Sequence, residues 1–252
     1  MMSHEFFFKI LRIYSDIWVR RHCRVIVSGL ENLESVQNRR RVYIGPHPTT
    51  YDVPLLIHTA KRNLYFIIAE GPFVHPIVGR IFKGAGFVKL NYDKPRQAIR
   101  EAKELVESGK PMICSMYGYG VDFGEEVGPE TGAIRIAHHA KADIVPLHVM
   151  IEEDKRTFKY YKDSKGDIYP YTIFSDTLYF LSFCKPIRYE DYAKDLDTLS
   201  IKKRNAVYNK MAVEFDTLFK DMDKDLQKEL KQNASYYQSL KKTGGSPIRV
   251  DW

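Results

Sequence analysis

The sequence has no apolar run long enough to cross a bilayer, which takes about 18 consecutive apolar residues in a helix. Its longest apolar segment is residues 64–69 (LYFIIA), and the N-terminal run at 6–8 (FFF) is shorter still. The N-terminus also lacks the long apolar region and the small-residue cleavage site of a signal peptide. We therefore expect a cytoplasmic protein, or one that lies peripherally on the inner face of a membrane.

Cysteine is scarce as well, with three residues, Cys23, Cys114 and Cys184, that show no paired spacing. This usage indicates a reducing compartment and argues against a disulfide framework or a zinc site. The adjacent His138 and His139 would point to different sides of a helix, and no carboxylate or thiol stands at ligand spacing from them. We predict no metal and no redox cofactor.

Loops that bind nucleotide phosphates are missing too. The segment Gly118-Tyr119-Gly120 with Gly124 is not a dinucleotide fingerprint, because Phe123 stands where that pattern needs a glycine. There is also no P-loop sequence.

The chain does have apolar material and a net positive charge. Of its 252 residues, 44% are hydrophobic, which is enough for a sizeable core without covalent staples. Lys and Arg number 39 against 32 Asp and Glu, a net charge of +7 that suits anionic lipid, coenzyme A phosphates or nucleic acid about equally. Without an RNA-binding or helix-turn-helix signature, we predict no nucleic-acid partner.

Residues 4–20 have the periodicity of an amphipathic helix. Its predicted apolar face holds Phe7, Ile10, Leu11, Tyr14, Ile17 and Trp18. Its predicted polar face holds Lys9, Arg12, Asp16 and Arg20. Aromatic residues and mostly cationic partners fit a helix in a membrane interface, but they fit a helix packed on the core equally well.

Strand and helix patterns alternate through the next part of the chain. Strands are predicted at 41–45, 64–69, 87–90, 111–116 and 143–149. Helices are predicted at about 52–61, 95–108 and 131–141. This order indicates an α/β fold with a mixed, largely parallel sheet flanked by helices.

The C-terminal part is less regular. Residues 152–170 predict a loop or hairpin, and 171–181 fit a strand or a helix equally well. Residues 199–230 predict a long amphipathic helix with Val207, Met211, Phe215, Leu218, Met222 and Leu226 as its apolar positions. We expect the polar tail from about 232 to be disordered beyond Gly244.

The strongest chemical signal is His47-Pro48-Thr49-Thr50-Tyr51-Asp52, on a predicted strand-to-helix turn. Pro54 places the start of the helix, because proline is tolerated in a first helical turn. The two side chains can then meet, so that Asp52 fixes the tautomer of His47 and His47 takes a proton from a nucleophile. The alternative is a helix cap at Asp52 and an ordinary turn histidine. Cys114 is a weaker candidate nucleophile, since a cysteine on a predicted core strand is usually buried.

Five sequence blocks between about 40 and 150 resemble the glycerophosphate and lysophosphatidate acyltransferase family. They are 43–57 (YIGPHPTTYDVPLLI), 69–90 (AEGPFVHPIVGRIFKGAGFVKL), 109–120 (GKPMICSMYGYG), 132–137 (GAIRIA) and 144–149 (IVPLHV). His47 and Asp52 match the family's histidine–aspartate motif. The later blocks are matched by Pro76, Gly79, Gly86, Gly118, Gly132, Ala133 and Pro146.

The resemblance implies that His47 activates an acceptor hydroxyl for attack on an acyl-CoA or acyl-carrier-protein thioester, with Asp52 as its orienter. The acyl thioester is then a co-substrate, and acyl-carrier protein a candidate partner. The resemblance also implies that backbone N–H groups, with the turn at Gly118 as one candidate, stabilise the oxyanion.

The sequence departs from the family at its expected phosphate ligands. Tyr92 stands where the second block usually ends in arginine, and Tyr117 and Gly120 stand where the third block carries glutamate and arginine. Tyrosine cannot supply the planar, bidentate match of arginine to phosphate, so the acceptor need not be a glycerol phosphate. We predict substrate contacts at Lys89, Tyr92, Tyr117, Gly118 and Tyr119, with Lys94 and Arg96 near enough to replace a missing cation.

These patterns divide the chain into a membrane-associating helix (1–22), an acyltransferase domain (23–198) and a C-terminal helix with a flexible tail (199–252). The predicted activity is transfer of a fatty acyl group to a hydroxyl or amine of a lipid or other membrane-associated acceptor. Two alternatives remain open. One is a non-catalytic relative that binds lipid or a partner, and the other is an acyl thioesterase with water as the acceptor.

Overall fold

A computed structural model describes residues 3–36, 38–47, 52–60, 62–117, 128–152, 157–162, 166, 168–173, 176–241 and 247–249. The strands are β1 (Cys23–Ser28), β2 (Arg41–Gly45), β3 (Tyr65–Ala69), β4 (Val88–Leu90), β5 (Met112–Ser115), β6 (Asp143–Ile151), β7 (Thr157–Lys162), β8 (Ile168–Ile173), β9 (Thr177–Phe183) and β10 (Ile248–Arg249). The helices are α1 (His4–His22), α2 (Leu30–Ser35), α3 (Asp52–Ala60), α4 (Gly71–Val74), α5 (Val78–Ala85), α6 (Pro95–Glu107), α7 (Gly132–His139), α8 (Tyr189–Tyr192), α9 (Ile201–Gln232) and α10 (Ala234–Lys241). Among these described helices, none is long and apolar enough to span a membrane.

Eight strands form one sheet in the order β10-β1-β9-β6-β2-β5-β3-β4. Strands β6, β2, β5, β3 and β4 run parallel to one another, and β9 joins β6 antiparallel and then pairs in parallel with β1. The prediction of a mixed, largely parallel sheet flanked by helices is therefore confirmed. The alternative of a hairpin after β6 is also confirmed, because β7 and β8 pair antiparallel in a second, two-stranded sheet.

The centre of the large sheet is buried on both faces, which explains its unbroken apolar strands. Every residue of β2 and β6 is buried. Arg41 opens β2 inside this core, and its guanidinium donates to the carbonyl oxygen of Val36 and to the Tyr43 hydroxyl. Because β2 ends at a rigid, covered position, the loop that follows it starts from a fixed point.

Helix α1 forms as predicted, but only part of its predicted apolar face packs on the core. Leu11 is buried and Phe7 and Trp18 are partly buried, whereas Tyr14 and Ile17 are exposed. Its buried side chains are Phe8, Leu11, Ser15 and Val19. Its most exposed large apolar side chains are Phe6, Ile13, Tyr14 and Ile17. The buried residues are those on the side of α1 that packs on α3 and α5. Polar side chains also take part in this packing. The Asp16 carboxylate lies 2.6 Å from Nδ1 of buried His58, and the Arg12 guanidinium contacts the Asn63 side-chain oxygen.

The C-terminal part is more ordered than predicted. The long helix is confirmed as α9, whose buried residues are Tyr208, Ala212, Phe215 and Phe219. Of the predicted apolar positions, Phe215 is buried and Val207, Met211 and Met222 pack partly against the core, whereas Leu218 is 39% exposed. The prediction of disorder beyond Gly244 was wrong at Ile248–Arg249, which pairs in parallel with β1. A short edge strand needs only backbone hydrogen bonds, so a polar sequence does not exclude it.

Candidate active site

The candidate site begins where β2 ends. Gly45 is the last residue of the strand and lies so close to β6 that a Cβ there would meet the Leu147 carbonyl oxygen at 2.0 Å. Only glycine permits this approach. His47 follows two residues later, at the carboxyl edge of the parallel strands, where ligands commonly bind in open α/β sheets.

His47 and Asp52 form a hydrogen bond across the strand-to-helix turn. Nδ1 of His47 lies 2.6 Å from Oδ2 of Asp52, the first residue of α3. The side chain of His47 is 37% exposed, whereas that of Asp52 is 6% exposed. The structure thus brings the predicted pair together, with the imidazole facing outward and the carboxylate held beneath it.

Tyr179 on β9 completes this arrangement, and the sequence patterns did not point to it. Its hydroxyl donates a hydrogen bond of 2.7 Å to Oδ1 of Asp52, and the tyrosine is fully buried. Burial and the charge of Asp52 raise the pKa of Tyr179 well above its ordinary value, so the phenol keeps its proton. With both oxygens of Asp52 accepting, the proton of the His47–Asp52 hydrogen bond belongs on Nδ1, which leaves Nε2 as the basic nitrogen.

Tyr117 follows the neighbouring strand β5, at the same level of the sheet as His47. Ser115 on β5 is in register with Gly45, and the Met116 N–H donates to the Gly45 carbonyl oxygen at 2.9 Å. Tyr117, like His47, therefore stands two residues beyond the last paired position. Its hydroxyl donates a hydrogen bond of 2.7 Å to Oδ1 of Asp216 on α9, which joins the C-terminal helix to the end of β5.

Lys89 and Tyr92 lie farther along the same edge. Strands β5 and β3 stand between β2 and β4, which corresponds to about 14 Å of sheet at the usual strand spacing. The Lys89 ammonium forms an ion pair of 2.9 Å with Glu70, and Tyr92 is 52% exposed. The structure thus places both on the rim of this edge rather than next to the histidine.

A family model described as Acyltransferase matches residues 24–150, half of the chain. The chain belongs to the acyltransferase family. No curated protein matches this acyltransferase. Its fold is similar to the crystal structure of the 1-acyl-sn-glycerophosphate (LPA) acyltransferase PlsC from Thermotoga maritima, with a TM-score of 0.57 at 18% identity over 85% of this chain and 80% of that one. The predicted family and fold are confirmed.

The remaining predictions about this acyltransferase concern Cys114 and the residues after Tyr117. Cys114 is a core residue of β5 with 4% exposure, and burial raises the pKa of its thiol, which disfavours the nucleophilic thiolate. The predicted contacts Gly118 and Tyr119, and the motif position Gly120, lie outside the described residues.

Proposed function

We propose that this acyltransferase moves a fatty acyl group from an acyl thioester, acyl-CoA or acyl-carrier protein, to a hydroxyl or amine of a lipid or other membrane-associated acceptor. The hydrogen-bonded chain Tyr179–Asp52–His47 carries the proposal. It has a buried carboxylate that orients an outward-facing imidazole, which is the base-and-orienter arrangement of acyl-transfer enzymes. The nucleophile is supplied by the acceptor.

In the proposed reaction, Nε2 of His47 takes the proton of the acceptor hydroxyl while the hydroxyl oxygen attacks the thioester carbonyl carbon. Asp52 stabilises the imidazolium that forms. When the tetrahedral intermediate collapses, the carbon–sulfur bond breaks and the imidazolium returns the proton to the departing thiolate. The products are an ester and a free thiol, and the histidine ends in its starting state.

A lipid acceptor is supported by the surface of α1. Phe6, Ile13, Tyr14 and Ile17 are 45–62% exposed and recur at helical spacing, and the cations Lys9, Arg20 and Arg21 are exposed on the same helix. Ile77, just before the packed helix α5, is 66% exposed. We propose that this apolar stripe, flanked by cations, rests in the interface of an anionic membrane on the cytoplasmic side.

The reaction class can be tested by incubating the protein with radiolabelled acyl-CoA or acyl-carrier protein and a panel of lysolipid, glycolipid and amine acceptors. Acylated product with stoichiometric free thiol supports transfer. Free thiol and free fatty acid without acylated product would instead indicate a thioesterase. Neither product with any donor would indicate a non-catalytic relative.

A further inference from the structure

Helix α9 holds two carboxylates near the level of the sheet at which β2 ends. Asp216 and Asp223 are seven residues apart, about two helical turns, so they lie on one face. Asp216 accepts from the Tyr117 hydroxyl at 2.7 Å, and Oδ1 of Asp223 lies 2.8 Å from Nε2 of His148 on β6. In the strand register, Tyr117 stands two residues and His148 one residue beyond the level of Gly45, which precedes His47 by two positions.

We propose that Asp216, acting through Tyr117, selects an acceptor head group that donates hydrogen bonds, a hydroxyl or ammonium, and disfavours a phosphate monoester. This inference rests on the proposed acyl transfer and names the acceptor chemistry at that site. Tyr117 is the residue that would touch the acceptor, and Asp216 is a positioning residue behind it.

The hydrogen-bonding state of Tyr117 is the first argument. Because its single hydroxyl proton is donated to Asp216, the phenol oxygen offers only lone pairs to a ligand. A hydroxyl or ammonium can donate to those lone pairs, whereas a phosphate dianion has no proton to give. To donate to a phosphate, the phenol would have to break its hydrogen bond to Asp216. That carboxylate is 14% exposed and would then have one hydrogen-bond partner fewer.

The electrostatic potential at Tyr117 is the second argument. Burial and the nearby carboxylates of Asp216 and Asp223 all raise the pKa of the Tyr117 phenol, which means that an added negative charge is disfavoured there. Lys220 forms an ion pair of 2.9 Å with Oδ2 of Asp216, but its side chain is 62% exposed and therefore screened by solvent. A phosphate monoester would meet this negative potential.

The test compares three acceptors of equal acyl length, namely a monoacylglycerol, the matching 1-acylglycerol 3-phosphate and a long-chain amino alcohol, with acyl-CoA as donor. We expect kcat/KM to be higher for the neutral or amino acceptor than for the phosphate, and their relative values to distinguish hydroxyl from ammonium. Asp216→Asn should shift the preference toward the phosphate by about tenfold, the effect of one charge at short range in a partly exposed site. The shift should shrink at high salt.

Two further variants keep this test sharp. Asp221→Asn removes an exposed carboxylate of α9 that pairs with Lys224, and it should leave the preference unchanged. Tyr117→Phe removes the phenol oxygen and should raise KM for the hydroxyl acceptor more than it lowers kcat. A wild-type preference for the phosphate acceptor, or an unchanged preference in folded Asp216→Asn and Tyr117→Phe, would overturn the proposal. Absence of transfer to all three acceptors would count against acyl transfer itself.

Discussion

Two of the histidine–aspartate pairs among the described residues, His47–Asp52 and His58–Asp16, share one contact geometry and have opposite surroundings. In both, Nδ1 of the histidine lies 2.6 Å from an aspartate oxygen. In the His47–Asp52 pair the histidine is 37% exposed and the carboxylate 6%, whereas in the His58–Asp16 pair the histidine is 2% exposed and the carboxylate 51%. Close contact alone therefore does not make a catalytic pair.

The difference lies in which partner meets solvent. A general base must reach the proton that it removes, so its outer nitrogen has to face the substrate. Nε2 of His58 is buried and has no hydrogen-bond partner among the described residues, while its aspartate lies on the surface helix α1. We interpret the His58–Asp16 pair as an attachment of α1 to α3, and the His47–Asp52 pair as the site of proton transfer.

Asp52→Asn should cause the largest difference in activity between changes to the two pairs. An amide at this position favours the wrong tautomer of His47 and cannot stabilise the imidazolium, so we expect kcat to fall roughly 10²–10⁴-fold. The matched control is Asp16→Asn, which makes the same change in the other pair. Initial rates of acylated product should fall only in Asp52→Asn, and an equal fall in both would remove the distinction between the pairs.

A smaller effect is expected on membrane binding by α1, the helix that carries Asp16. Replacing Ile13 and Ile17 with serine removes two exposed apolar side chains, and we expect binding to anionic vesicles to weaken about thirtyfold. Co-sedimentation with vesicles measures this. Point substitutions are preferable to deleting 1–20, because Phe8 and Leu11 of the same helix belong to the core. Unchanged binding would mean that the stripe does not contact lipid.

Tyr179→Phe should have a more moderate effect. It removes the hydrogen bond to Oδ1 of Asp52 while keeping the buried ring, so we expect kcat to fall about tenfold, the equivalent of one hydrogen bond to a charged group. Tyr237→Phe is a matched control, because this buried tyrosine donates to Glu229 on α9 at 2.5 Å. If both variants lose activity equally, the effect of Tyr179 is on stability rather than on His47.

The smallest effect on rate is expected from His58→Ala. Removing a buried ring should lower the free energy of unfolding by about 2–3 kcal/mol, because it leaves a cavity between α1 and α3. The turnover of the folded fraction should stay unchanged. Chemical denaturation and active-site-normalised rates measure the two quantities separately, and a large loss of turnover would assign chemistry to the second pair.

The features that the sequence could predict depend on residues that are close together along the chain. His47 and Asp52 are five residues apart across one turn, so their contact follows from a strand end and a helix start that Pro54 makes visible. The alternation of strands and helices likewise predicted most of the parallel sheet. These features depend on neighbours in sequence, and a single chain displays them directly.

Features that depend on distant contacts could not be predicted in the same way. Tyr179 reaches Asp52 from 127 positions away, and Asp216 reaches Tyr117 from 99 positions away. Contacts between residues so far apart in the sequence leave no recognisable pattern in the residues next to them. The same reason applies to α1, because its packing on α3 and α5 and the His58–Asp16 contact decide which of its apolar residues are buried.

The central claim is that His47 is the base of acyl transfer, and His47→Ala tests it most directly. The rate of acylated product formation from acyl-CoA should fall roughly 10²–10⁴-fold, because a working base contributes about that factor. The melting temperature should stay near that of the wild type, and His139→Ala, an exposed histidine on α7, should retain full activity. Unchanged transfer by folded His47→Ala would contradict the account.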